Sequence, residues 1–226
     1  MQDFVLSTRA AENIIRAVRT LGQLKTQSRF VTRSTLLAGE VTVEEKVDGA
    51  NLGFSVDEAG TLRGQNRGSC VDLEAPAGQW KPLEAWLSPH RRALAEALAD
   101  GLILFGEWCF AVHSVRYDRL PDWFLAFDVY DRARGEFWSV ERRDALAQRL
   151  GLVIVPTLGR GRFELGALQR LLARSALTDG PPEGLYVRQE QHGRLERRAK
   201  PVRAEFVQAI EEHWSKRPIE ANRLAR

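Results

Sequence analysis

The sequence predicts an α+β fold, with strands in local antiparallel pairs and helices set between them rather than a doubly wound parallel sheet. Three observations predict it. Strand-like runs in the first half are joined by short Gly-containing turns, apolar stripes of helical period lie between other strand-like runs, and neither a GxGxxG nor a GxxxxGK[ST] loop is present. The 226 residues are 44% hydrophobic, enough to bury a real core, and no repeat, low-complexity tract or linker divides them. Residues 1–226 are therefore expected to form a single domain.

Taken in order, residues 8–21 place Ala11, Ile14, Ile15, Val18 and Leu21 on one helical stripe, with Thr8 as a cap. Strands are expected near 41–47, 50–57 and 61–66, linked through Asp48-Gly49 and Glu58-Ala59-Gly60 as an antiparallel meander. Within it Lys46 and Asp48 share an alternation class with apolar Phe54, which would set two charges on a face that could be buried. A looser Pro-containing stretch, 71–90, leads to a short helix over RRALAEALAD, ended by Gly101. LILFGEW (102–108) and WFLAFDVYD (123–131) are apolar enough to be central strands, each carrying an acid toward its end. Helices follow near 139–150, capped by Ser139 and stopped by Gly151, and near 164–175. LVIVPT, EGLYVRQE and RLERRAK are further strands, the last two joined by a Gln-His-Gly turn, and RAEFVQAIEEHW is a final helix before a basic tail.

Composition narrows the chemistry. Net charge is +3, and only five of the 33 basic residues are lysine. A GC-rich genome explains the arginine excess, but a guanidinium never supplies a reactive amine, so Lys25, Lys46, Lys81, Lys200 and Lys216 are the places to look for one. A basic balance suits a polyanionic partner. Two cysteines, Cys70 and Cys109, and four scattered histidines support neither a disulfide framework nor a zinc site. No segment of signal-peptide type opens the chain and no run reaches membrane-spanning length, so a soluble cytoplasmic protein, with no membrane partner, is expected.

Lys46-Val47-Asp48-Gly49 is a short pattern that proves little alone. Five further elements follow it in one order: Arg67 in GQNRG, Glu107 in FGEW, Phe127-Asp128 in AFDVYD, Glu183 in PPEGLYVR, and Arg198-Ala199-Lys200 in RRAKPVRAEF. Read singly, each has an ordinary alternative. Lys46 could pair with Asp48 on an exposed strand, Glu107 and Glu183 could be solvated strand-end acids, and Phe127 could be core. His113 and Tyr117, in FAVHSVRYDRLP, are expected to form a buried hydrogen-bonded pair.

EKVDGANLGF, GEW, FLAFDVYD, EGLYVR and RAKPVRAEF resemble the ordered motifs of the covalent nucleotidyltransferases over about residues 40–206. In wording they are most similar to ATP-dependent RNA ligases of the type 2 group; DNA ligases and mRNA capping guanylyltransferases share the skeleton. The resemblance implies antiparallel sheets flanking a nucleotide-binding cleft, ATP as AMP donor, Mg2+ or Mn2+, and a role in RNA repair. It implies a nicked RNA duplex or RNA/DNA hybrid as substrate, an end-healing kinase or phosphatase as partner, and a monomer or homodimer.

Roles follow from the resemblance and from charge. Lys46 is the nucleophile that bonds AMP, neutral when it attacks. Arg198 and Lys200 stabilise charge at the α-phosphate. Glu183 holds the metal, and Glu107 shares it or accepts from the ribose. Phe127 lies against adenine, while Arg67 meets the ribose or a 5′-phosphate end. Asp48 orients the nucleophile or sugar, Gly49 permits a tight turn beside phosphate, and Asn51 positions the strand termini. Two departures stand out: Arg198 occupies a place where the family carries a lysine, and with only about twenty residues after Phe206 no appended OB or C-terminal module is expected. Substrate capture is therefore expected to rest on the core domain, on dimerisation or on a partner. The alternatives are a GTP-using capping guanylyltransferase and a catalytically inactive nucleic-acid-binding homologue.

Overall fold

The computed structural model describes residues 39–202 and 218–225. The helices expected at 8–21 and 203–214, with Lys25 and Lys216, lie outside the described residues. The strands are β1 (Val41–Lys46), β2 (Ala50–Val56), β3 (Leu62–Gln65), β4 (Cys70–Val71), β5 (Leu102–Trp108), β6 (Phe124–Asp131), β7 (Glu136–Phe137), β8 (Val153–Ile154), β9 (Thr157–Gly161), β10 (Gly184–Gln191) and β11 (Arg194–Ala199). The helices are α1 (Leu83–Leu87), α2 (Arg91–Leu98), α3 (Val140–Arg149) and α4 (Leu165–Leu171).

Among the described residues these strands form two sheets. The smaller has the order β11-β10-β1-β9 and the larger β4-β3-β2-β5-β6-β7, with β8 added parallel to β6. All the other pairs are antiparallel, so the α+β expectation stands. One face of the larger sheet, carrying Leu52, Phe54, Leu104 and Phe124, is buried against Leu83, Leu87, Leu94 and Leu98 of α1 and α2. In the smaller sheet Val41, Val43, Leu185 and Val187 pack on Leu168 of α4.

The expected meander is not what forms. β2 and β3 pair as a hairpin, but β1 leaves for the other sheet, where it lies between β10 and β9. The chain changes sheets between Lys46 and Ala50, so Lys46 and Phe54 do not share a face. Phe54 is fully buried in the larger core beside Trp86 and Phe124, whereas Lys46 faces the space between the sheets.

Local signals are read well where a cap or turn fixes them. Ser139 accepts from Arg142 N at the start of α3 (3.4 Å). The β10–β11 hairpin turns through His192 and Gly193, at φ 51° and 73°, the left-handed backbone that a two-residue turn demands. The strand β9 gave no signal, because Thr157–Gly161 carries two glycines and is only partly buried. LVIVPT supplies only the short β8 before Pro156.

Candidate active site

The β1–β10 register sets Lys46 opposite Gly184. Glu183, one residue before, thereby meets the Lys46 ammonium as an ion pair across a sequence separation no local pattern reveals. Both side chains are largely buried. Lys46 lines an open cleft of about 500 Å³ with Glu44, Asn51, Arg67, Glu107, Phe127, Val155, Tyr186 and Lys200. Lys200, just past β11, sits over the rings of Tyr186 and Phe127, 4.5 and 5.9 Å from their centroids. Burial, reinforced by neighbouring Arg198, lowers the Lys200 ammonium to about 7 from 10.5.

Glu107 lies on β5 opposite Asn51 of β2, on the cleft floor. Burial raises its carboxyl to about 7 from 4.5, against the pull of Lys46 and Arg67. Its Oε1 accepts from Gly49 N at 3.1 Å. Gly49 is needed for space more than for turn geometry. A Cβ there would lie 2.6 Å from Trp108 O and 3.1 Å from Glu107 Cγ, so only glycine lets the crossing chain rest on β5. Asn51 is buried on that floor, and Arg67 is exposed at its rim.

Phe127 is the extra residue of a β-bulge: Phe105 pairs with Asp128 and Gly106 with Ala126. The bulge aims Phe127 into the cleft while its neighbour Asp128 turns toward the smaller sheet. The carbonyl of Phe127 accepts from Arg143 (2.9 Å) and Arg188 (2.5 Å), which fixes the distortion.

The chain matches the RNA ligase family over residues 39–202. It belongs to the RNA ligase family. No curated protein matches it. Among solved structures it is similar to a Naegleria gruberi RNA ligase with PPi, at TM-score 0.59 and 16% identity over 79% of this chain and 53% of that one. A lysine-to-alanine mutant of that ligase with ATP and Mn gives TM-score 0.57 and 16% identity over 75% and 51%. A lysine-to-methionine mutant with AMP and Mn gives 0.58 and 16% over 79% and 54%. The chain thus spans about half the length of those structures and shares their fold.

Arg198, expected beside Lys200 at the α-phosphate, takes other partners. It does not line the cleft. Its Nη1 donates to Tyr186 Oη (2.8 Å) and Asp128 Oδ2 (3.2 Å), and its guanidinium stacks on Phe137 at 4.5 Å. Arg198 and Lys200 share a strand face, two residues or roughly 7 Å apart; Asp128 captures the deeper cation and leaves the cleft to Lys200. Burial alone would raise Asp128, but Arg188, Arg198 and Lys200 hold its carboxyl below the ordinary range.

His113 and Tyr117 do not pair with each other. His113 meets Gln79 Oε1 at 2.9 Å, while Tyr117 Oη accepts from Asp48 N at 2.8 Å. Asp48 is further held by Ser114 N and Val115 N, which donate to its Oδ2 at 2.7 and 2.8 Å. Tyr186 and Val155, which line the cleft, were missed by sequence reading, and Tyr117, which meets Asp48, was left without a role. For Tyr117 the only signal was its place in the loop that follows Glu107.

Proposed function

We propose that the chain is an ATP-dependent RNA ligase of the covalent nucleotidyltransferase fold, forming lysyl-AMP at Lys46, passing AMP to a 5′-phosphate end and joining that end to a 3′-hydroxyl. The observation that carries this reading is Lys46 lining one cleft with Lys200 and Glu107 while Glu183 pairs with its ammonium. Family membership supports it, as do similar structures described with ATP, AMP and Mn.

In the first step the Lys46 ammonium gives one proton to water, its neutral Nζ attacks the α-phosphorus and loses a second proton to water as the N–P bond forms, and pyrophosphate leaves as the bond from the α-phosphorus to the bridging oxygen breaks. Glu183 keeps the amine aimed into the cleft before ATP arrives. Lys200 titrates near neutrality in the free protein, and incoming phosphates favour its charged form, so it becomes a cation where transition-state charge develops. Phe127 and Val155 give adenine an apolar wall. A 5′-phosphate oxygen next attacks the adenylyl phosphorus and releases Lys46. The 3′-oxygen then attacks the 5′-phosphorus, gives up its proton, and AMP leaves.

Among the described residues no three acidic, His or Cys side chains converge into a metal cage. Glu183 and Glu107 would be the carboxylate donors for Mg2+ or Mn2+, an ion commonly held by one or two carboxylates together with water and substrate phosphates. Once bound, the ion would neutralise charge on the phosphates.

Incubation with labelled ATP or GTP and Mg2+ or Mn2+, followed by denaturation, tests the reading. Label from ATP is expected on the wild type and absent from Lys46→Ala and Lys46→Arg, because a guanidinium keeps charge but is no nucleophile. Label from GTP alone, or robust label on Lys46→Arg, would overturn it. Nicked duplexes with ribose and deoxyribose exchanged on each side of the junction then define the substrate.

A further inference from the structure

The short segment 218–225 lies against the loop that joins β5 to β6. Five backbone hydrogen bonds fasten it there. Val112 N donates to Glu220 O (2.8 Å), Asn222 N to Phe110 O (2.8 Å), Arg223 N to Tyr117 O (3.0 Å), Leu120 N to Arg223 O (3.0 Å) and Ala225 N to Leu120 O (2.8 Å). At its centre is Asn222, a polar side chain only 4% exposed. Its Nδ2 donates to Cys109 O (2.8 Å) and Ala111 O (3.2 Å), and its Oδ1 accepts from Tyr117 N (2.8 Å). One amide therefore ties together the two ends of the excursion from Cys109 to Tyr117.

That excursion is what grips the turn beside the nucleophile. Its Ser114 and Val115 amides take the Asp48 carboxylate, and the Tyr117 hydroxyl takes the Asp48 backbone N–H. The Tyr117 ring is fully buried, so its hydroxyl moves with the loop backbone rather than independently. Asp48 is two residues from Lys46 and adjoins Gly49, whose N–H binds Glu107. An unbroken series of buried or half-buried contacts thus runs from the 218–225 segment to both sides of the Lys46–Glu107 site. A buried Asn with three backbone partners cannot be replaced by an apolar residue without leaving those groups unsatisfied.

We propose that Asn222 is a positioning residue for AMP transfer, acting through the 109–117 loop and Tyr117 to fix the Lys46–Asp48 turn against the incoming α-phosphate. The inference rests on the reading of Lys46 as nucleophile. Misplacement of a reacting group by about an ångström is enough to cost up to a hundredfold in rate. Loss of the amide should therefore appear in the rate of the step and little in nucleotide affinity.

The test is single-turnover transfer of labelled AMP to the protein over a range of ATP concentrations, at a temperature where every variant is folded by circular dichroism. Asn222→Ala is expected to slow transfer roughly tenfold or more with half-saturating ATP within about twofold of wild type. Tyr117→Phe, which removes only the hydroxyl meeting Asp48, should lose a similar factor, and the double variant should lose no more than the worse single. Asn222→Ser is small and uncharged, and its hydroxyl can still make one of the three bonds, so it stays available if the alanine variant does not fold, and a similar slowing is expected. Amide hydrogen exchange at Ser114 and Val115 reads the coupling without catalysis, and protection there should fall in the Asn222 variants. A rate unchanged in folded Asn222 variants, multiplicative losses with Tyr117→Phe, or retained protection would overturn the role of Asn222. Absence of label from the wild type would instead overturn the nucleophile reading, and the rate role of Asn222 would fall with it.

Discussion

Burial lifts the Glu107 carboxyl to about 7, so the folded protein holds that proton more tightly than the unfolded chain, where the ordinary value is 4.5. The stability this gives is fully present below pH 4.5 and is lost as pH rises through about 7. The amount is about 3 kcal/mol at 1.36 kcal/mol per pKa unit. Glu107→Gln keeps an acceptor for Gly49 N and does not titrate. Its advantage over wild type in metal-free urea unfolding should therefore grow between pH 4.5 and 7 and then level off. A pH-independent difference would show that Glu107 ionises at its ordinary value. AMP transfer should run the other way, because a metal or ribose hydroxyl needs the ionised acid. That Lys46, Glu107 and Lys200 share one cleft, with Glu183 paired to Lys46, was legible only through the ordered motifs of the family resemblance, since no local pattern joins residues so far apart in the chain. The placement of Arg198 was not, since alternation puts it on the face of Lys200 and only the bulge at Phe127 brings Asp128 close enough to capture it.

Between the sheets lies a set of charges that the strand patterns hid. Glu44 on β1 binds Arg188 on β10 (2.5 Å) and Arg143 on α3 (2.6 Å); Arg188 in turn binds Asp128 on β6 (2.6 Å), which Arg198 on β11 also meets. Each of these side chains is buried. In a linear reading Arg143 and Arg188 look like solvated face charges, and only the meeting of β1, β6, β10 and α3 gives them partners. Arg188→Met leaves Glu44 and Asp128 each short of a cation and should lower stability by about 3–5 kcal/mol in denaturant unfolding. A loss below about 1 kcal/mol would mean the network relaxes around the gap. Glycine has an equally specific place at this scale. A Cβ on Gly184 would lie 2.4 Å from Pro201 O, where the chain crosses back over β10 immediately after Lys200. Gly184→Ala should therefore displace the crossing that carries Lys200 and slow AMP transfer at least tenfold. Unchanged transfer would show that the crossing shifts without carrying Lys200.

At the scale of the molecule, the longer strands and the β2–β3 and β10–β11 hairpins were legible, whereas β4, β7, β9 and the pairings between distant strands were not. β1 and β2 look like neighbours in the sequence, yet they belong to different sheets, and the cleft exists because the chain crosses between them at Asp48-Gly49. The same geometry bears on RNA capture. No described helix is long and apolar enough to cross a membrane, and net charge over the full sequence is only +3, so attraction to a polyanion must come from local placement of arginines. Arg67 is exposed beside the cleft that Glu107 also lines, a guanidinium within reach of a phosphate that enters from solvent. Each phosphate neutralised contributes about 0.9 to the slope of log affinity against log salt for a duplex, and about 0.7 for a single strand. Binding to a nicked RNA duplex should accordingly be loose and steeply salt-dependent. Arg67→Ala should weaken it and flatten the slope by about one, whatever the sequence at the nick. A slope unchanged by the substitution would place the RNA path elsewhere on the surface, and a salt-insensitive nanomolar complex would mean that capture rests on something other than phosphate charge.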